Sequence, residues 1–294
     1  MKTLKKVLIA TDFSKSSDFA LRFGKTLQEQ QSLDITLVHI SDASSVWDWP
    51  ATTLQARNLL AQFQDEMTTV MQNKMADQQK RCEVNFPTKI IFGDSFDELT
   101  KLIKEGHADL LIMGHRGQKS LFPIGSFAKK MMSSSPVPVI ITSSEAPITK
   151  VGCLLDLSSV SSDIVDAGLE FSELFNAHLS YFSSIPDLSS KAIAAIPFAI
   201  TNYSFDEGEK MDIIKKAKEV VIEAVGKVND EDIIVEISKD DTSTALSEML
   251  EERNIDLAIL SKHNRGPIEK FFMGSVSKGF IDQFKGSILI LPGK

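Results

Sequence analysis

The chain repeats itself. Lys6-Val-Leu-Ile-Ala-Thr-Asp-Phe-Ser14 has a counterpart 144 residues later in Lys150-Val-Gly-Cys-Leu-Leu-Asp-Leu-Ser158. In both, an apolar run ends in Asp, then one apolar residue, then Ser. Ala108-Asp-Leu-Leu-Ile-Met-Gly114 pairs with Ile255-Asp-Leu-Ala-Ile-Leu-Ser261 at an offset of 147, and Gly125-Ser126 with Gly274-Ser275 at 149. Three matches in the same order, with an offset that drifts only as loop lengths change, mark a tandem duplication. Each half of the 294 residues is long enough to bury its own core. The stretch Thr142–Lys150 is polar, contains Pro147 and reads as a linker, which sets the expected domains at 1–145 and 146–294.

Within each half, short apolar runs alternate with helical patterns. The first half has strand-like runs at Val7–Thr11, Ile35–Ile40, Thr88–Phe92, Leu110–Met113 and Val137–Thr142. The second has them at Val151–Leu155, Leu179–Ser183, Ile233–Ile237, Leu257–Leu260 and Ile288–Leu291. Unbroken apolar runs suit strands covered on both faces, as in a parallel sheet. Helical spacing recurs in Phe19, Ala20, Phe23 and Leu27 and in Phe96, Leu99, Leu102 and Ile103. Ser95-Phe-Asp-Glu98 has the form of a capping box, and a long polar-rich helix is expected over Thr53–Lys80. Helices are expected in the second half near Val160–Phe175, Asp206–Val228, Thr242–Glu252 and Ser275–Gln283, with Ile185–Tyr203 as a mobile loop. The βαβ order implies two tandem open five-stranded parallel sheets with helices on both faces and right-handed crossovers.

Composition excludes several classes. The net charge of −8 divides into 17 basic against 16 acidic residues in 1–147 and 15 against 24 in 148–294. Such a chain has no electrostatic footprint for nucleic acid. No apolar run is long enough for a membrane helix, and the short basic start lacks the apolar stretch of a signal peptide. Two cysteines without metal spacing and five scattered histidines argue against a disulfide framework and against a metal site. A cytoplasmic location is expected, with Cys153 in a core and Cys82, among charged residues, exposed.

In open parallel sheets, ligands bind beyond the carboxyl ends of the strands, near the reversal of strand order. Asp12, Gly114-His-Arg-Gly117 and Gly125-Ser126 converge there in the first half. Glycines permit close approach of a ligand. The N–H groups of Gly125, Ser126 and Phe127 open a helix whose dipole favours an anion, Ser126 adds a hydroxyl, and Arg116 reaches toward a phosphate. Each motif also has a structural reading, with the glycines as a turn, Gly125-Ser126 as a cap and Asp12 as a cap of the first helix. Trp47, Trp49 and Pro50 read as local packing or as a lid.

Lys6–Ser14, Val38-His39-Ile40, Gly114-His-Arg-Gly117, Gly125-Ser126 and Ser135-Pro-Val-Pro-Val-Ile-Ile141 together resemble a universal stress protein domain, and the resemblance covers nearly the whole chain as a pair. It implies a Rossmann-like, adenine nucleotide alpha hydrolase-like fold that binds ATP or AMP, with Mg2+ accompanying ATP. Its nucleotide motif is Gly, two residues, Gly, nine residues, Gly, then Ser or Thr. Carried over, Asp12 and the Ile40 backbone flank the adenosine. Gly114, Arg116 and Gly117 follow the ribose and phosphates, and Gly125, Ser126 and Phe127 hold phosphate. Asp156, His263, Asn264, Gly274 and Ser275 are the second half's counterparts. Both halves depart from the motif. Only seven residues, Gln118–Ile124, separate Gly117 from Gly125, while Ser261 and Asn264 replace the glycines of the second half ahead of a nine-residue spacing.

The resemblance also implies pairing of the two domains within the chain and a possible homodimer. No Gly-x4-Gly-Lys phosphate loop, Gly-x-Ser-x-Gly elbow or carboxylate pair beside a base occurs, so no catalytic residues are expected. The functional expectation is a non-catalytic adenine-nucleotide-binding stress-response regulator. The alternative is an interaction scaffold whose degenerate motifs no longer bind nucleotide.

Overall fold

A computed structural model describes residues 4–42, 53–115, 125–157, 160–187, 206–238, 241–262, 280 and 284–293. The chain divides into two compact units, Lys2–Glu145 and Ala146–Lys294. The first runs β1 (Lys6–Ala10), α1 (Lys15–Gln30), β2 (Asp34–Ser41), α2 (Leu54–Cys82), β3 (Thr88–Phe92), α3 (Ser95–Lys104), β4 (Leu110–Gly114), α4 (Ser126–Ser134) and β5 (Val139–Thr142). Its strands lie in the order β3-β2-β1-β4-β5, and every pairing is parallel. Right-handed crossovers then put α1 and α2 on one face and α3 and α4 on the other.

The second unit repeats this plan with β6 (Lys150–Leu154), α5 (Ser162–Phe175), β7 (His178–Pro186), α6 (Glu207–Val225), β8 (Ile233–Ser238), α7 (Thr242–Glu252), β9 (Leu257–Ser261) and β10 (Ser287–Leu291). A short 3-10 turn, Asp230–Asp232, precedes β8. The order is β8-β7-β6-β9-β10, again parallel throughout. The fold class read from the repeat is thus the observed one. Of the expected helix Ser275–Gln283, only Phe280 lies among the described residues; it is buried, its ring 5.6 Å from that of Phe284.

The strands are apolar because helices cover both sides; Ile9, Leu110, Ile112, Ile140, Ile259 and Leu289 are wholly buried. Helices α1 and α5 press on their sheets through equivalent residues 144 apart. Leu21, Gly24 and Leu27 in one match Val165, Gly168 and Phe171 in the other. A β-carbon on Gly24 would lie 2.4 Å from Ile9 Cδ1, and one on Gly168 2.4 Å from Cys153 Sγ. The same register shows that α5 begins late. Lys15, the first residue of α1, corresponds to residue 159, whereas α5 starts at Ser162.

Three local expectations need correction. Cys82 is buried, because the last turn of α2 packs its apolar side against α1, with the thiol 3.8 Å from the Asp18 carbonyl. The cap of α3 is Asp94 rather than Ser95, since the Asp94 carboxylate accepts from both Phe96 and Asp97 N–H at 2.9 Å. Strand β7 continues to Pro186, into the stretch expected as loop, because β8 pairs with it as far as Ser238.

Candidate functional site

A cleft of about 280 Å³ opens at the carboxyl edge of the first sheet, where the strand order reverses between β1 and β4. Ala10, Thr11 and Asp12 form its floor at the end of β1, with Ser17 of α1 beside them. Val38 and Ile40 of β2 with Leu99 of α3 make an apolar wall, and Ser95 adds a hydroxyl to it. Opposite lie Met113, Gly114 and His115 from β4, then Gly125, Phe127 and Ala128 at the start of α4.

The turn after β1 is fixed locally. Ser14 caps α1 by accepting from the Ser17 N–H at 3.2 Å, and Asp12 Oδ1 accepts from the Ser14 N–H at 3.1 Å. The cap of α1 is therefore Ser14, and Asp12 lies two residues upstream, at the cleft. Phe13 takes a left-handed backbone at φ 64°, a costly conformation for an aromatic residue. Its ring lies 4.3 Å from that of His39, whose Nδ1–H donates to the Thr11 carbonyl at 2.8 Å. A carbonyl only accepts, so this bond fixes the His39 tautomer. Burial holds His39 below the usual histidine range; the Thr11 bond and Asp12 oppose that shift, and Lys74 adds to it.

The two helix starts on the cleft differ in charge. Asp94 caps α3, and Asp97 and Glu98 follow in its first turn. Gly125 begins α4 with no side-chain cap, no acidic residue follows in its first turn, and Lys129 and Lys130 come next. The amides of the first turn of α4 and the helix dipole thus offer the site its anion-binding end.

The structure adds detail to two assignments made from sequence. The Gly125 N–H donates to the His115 carbonyl at 2.9 Å, so the anion donors begin one residue later, at Ser126, Phe127 and Ala128. The lack of a side chain at Gly114 also serves the packing of the protein: a β-carbon there would lie 2.5 Å from the backbone of Ser16 in α1. Asp12, Ile40, Gly114, Gly125 and Phe127 line the cleft as read from sequence, while the exposed Ser126 side chain lies off its lining. Arg116, Gly117, His263, Asn264, Gly274 and Ser275 lie outside the described residues, as do Trp47, Trp49 and Pro50. Sequence reading missed Ser17, Ser95 and Leu99. Their shared signal is position, since each falls in the first turns of a helix that starts at the carboxyl edge. Among the described residues no group of three or more His, Cys, Asp or Glu forms a metal cluster, and no helix is long and apolar enough to cross a membrane.

The family description "Universal stress protein family" matches twice, over residues 3–143 and 147–292. The chain belongs to the universal stress protein family. The universal stress protein MJ0577 of Methanocaldococcus jannaschii is 28% identical over 151 residues, which are 47% of this chain and 93% of that protein. Among solved structures, a functionally unknown protein of Pseudomonas aeruginosa PAO1 superposes with TM-score 0.67 at 13% identity, over 99% of this chain and 93% of its own. A universal stress protein of Archaeoglobus fulgidus does so with TM-score 0.61 at 17% identity, over 98% of each chain. At these identities the superpositions speak for the fold of a tandem universal stress protein.

The two halves of this universal stress protein differ at the equivalent edge. Asp156 keeps the place of Asp12, but Leu155 stands for Thr11 and is buried. Ser183 replaces His39 and makes the same tie, its hydroxyl donating to the Leu155 carbonyl at 3.0 Å. Ser261 stands where Gly114 does and is buried, so the second half carries a side chain where the first has none. The substitution coincides with the late start of α5. Burial pulls Lys262, the counterpart of His115, down to about 8.

Proposed function

We propose that this universal stress protein is a non-catalytic regulator that binds one adenine nucleotide, ATP or AMP, in the cleft of its first half. The observation that carries the reading is the polarity of that cleft: an apolar wall at Val38, Ile40 and Leu99 faces an uncapped, cationic helix start at α4. An adenine ring suits the wall, and phosphate suits the Ser126–Ala128 amides. Asp12 offers acceptors to the ribose hydroxyls between them, and ATP brings its own Mg2+. The function proposed is binding itself, with no catalytic step assigned to the cleft. The two buried, unbridged thiols suit a reducing cytoplasm.

Titration calorimetry with ATP and AMP tests the reading, with and without Mg2+. The expected result is one nucleotide per chain, lost in Gly125→Asp. Absence of heat at millimolar nucleotide would overturn it. For the second half the scaffold reading is favoured, because Leu155 and Ser261 replace the residues that shape the first cleft.

A further inference from the structure

The face of α2 that packs on the first unit is Met71, Met75, Gln78 and Cys82, at spacings of four, three and four. Three of these are ordinary core residues. Gln78 is 1% exposed, and burying an amide is costly unless its donors and acceptor are all used. Its Oε1 accepts from the Thr11 hydroxyl at 2.7 Å. Its Nε2 donates to Ser17 Oγ at 3.0 Å and to Asp18 Oδ1 at 2.8 Å. Asp18 is held in turn by Arg81, through Nε at 3.1 Å and Nη2 at 2.9 Å.

One amide therefore grips both ends of the segment from Thr11 to Ser17, and both of those residues line the cleft. The grip continues inward. Thr11 Oγ1 accepts from the Phe13 N–H at 3.0 Å, and the Ser17 hydroxyl donates to the Ser14 carbonyl at 2.8 Å. Asp12 and the left-handed Phe13 lie inside this loop of bonds.

The fold itself does not require the clamp. The second unit builds the same sheet with Leu155 in place of Thr11 and Ser162 in place of Asp18, and the buried residues of α6 are Ala217 and Val221. The clamp belongs to the half that carries the cleft.

We propose that Gln78 is a positioning residue: from α2 it holds the Asp12 turn in its binding conformation, so that nucleotide affinity in the cleft depends on the seating of α2. This rests on the nucleotide reading for its ligand, but the clamp has a test of its own. In the full chain, Gln78→Met keeps the shape and removes all three bonds. ATP and AMP are expected to bind at least tenfold more weakly, measured where circular dichroism shows both proteins fully folded. Without nucleotide, the Phe13 and Ser14 amides are expected to exchange with solvent at least tenfold faster, while that of Ile9 in β1 is unchanged. If Gln78→Met does not fold, Gln78→Asn, one methylene too short to span Thr11 and Asp18, is read by the same criteria. Affinity within twofold of the wild type overturns the proposal, as does exchange at Phe13 and Ser14 that changes only in step with Ile9. If the wild type binds neither nucleotide, the nucleotide reading fails, and the exchange rates still decide the clamp.

Discussion

Gly114 reads in the sequence as a ligand-facing glycine, and in the structure it lines the cleft and also answers a packing need. The Ser16 backbone passes 2.5 Å from where a β-carbon would be. Gly114→Ser, which copies the second half, is expected to cost about 1–3 kcal/mol by urea denaturation, the range for overpacking, and to displace the first turn of α1. His39 supplies a pH dependence. Its folded pKa lies below the unfolded value of about 6.5, so as pH falls through that range the unfolded chain takes up the proton first and stability drops. His39→Gln is expected to lose less stability than the wild type between pH 7 and pH 5, read by thermal melting. Cys82 illustrates what neighbours conceal. Charged residues flank it in sequence, yet it lies on the buried stripe of α2, and burial with the Asp18 carboxylate nearby pushes its thiol up to about 11. Neither Cys82 nor Cys153 is expected to react with a thiol reagent at pH 8 until the protein is unfolded.

Most elements were legible because buried parallel strands admit few residue types. Thr88–Phe92 and Thr242–Glu252 fall on their expected bounds, and the other strands differ mainly at their ends. What stayed hidden depended on side-chain partners distant in sequence. Gln78 looks like any glutamine of a polar-rich helix, although its spacing from Met71, Met75 and Cys82 marks the buried face. Helix α4 shows the same limit: its motif was visible, but the bond from the Gly125 N–H to His115, which shifts the anion donors by one residue, was not. Gly125 has φ −64°, within reach of any residue, so its lack of a cap is a choice of side chain and not of backbone. Gly125→Asp is expected to stabilise the protein by up to about 1 kcal/mol through capping and dipole terms. The same carboxylate would occupy the α4 amides and repel phosphate, so a higher melting temperature should accompany lost nucleotide binding.

At the scale of the molecule, duplication gave one fold twice and then two different edges. Calorimetry on the full chain is expected to give a stoichiometry near one nucleotide per chain, and a value near two would show that the second edge also binds. The late start of α5 bears on whether that edge can be recovered. Ser261→Gly removes the added side chain, but Leu155 and Ser162 lack the hydroxyl and carboxylate with which Thr11 and Asp18 hold α1. Ser261→Gly alone is therefore expected to leave the start of α5 where it is, and a first-half edge is expected only when several positions change together. On that expectation the second edge is ratcheted: its own packing keeps it from turning into the first by a single substitution.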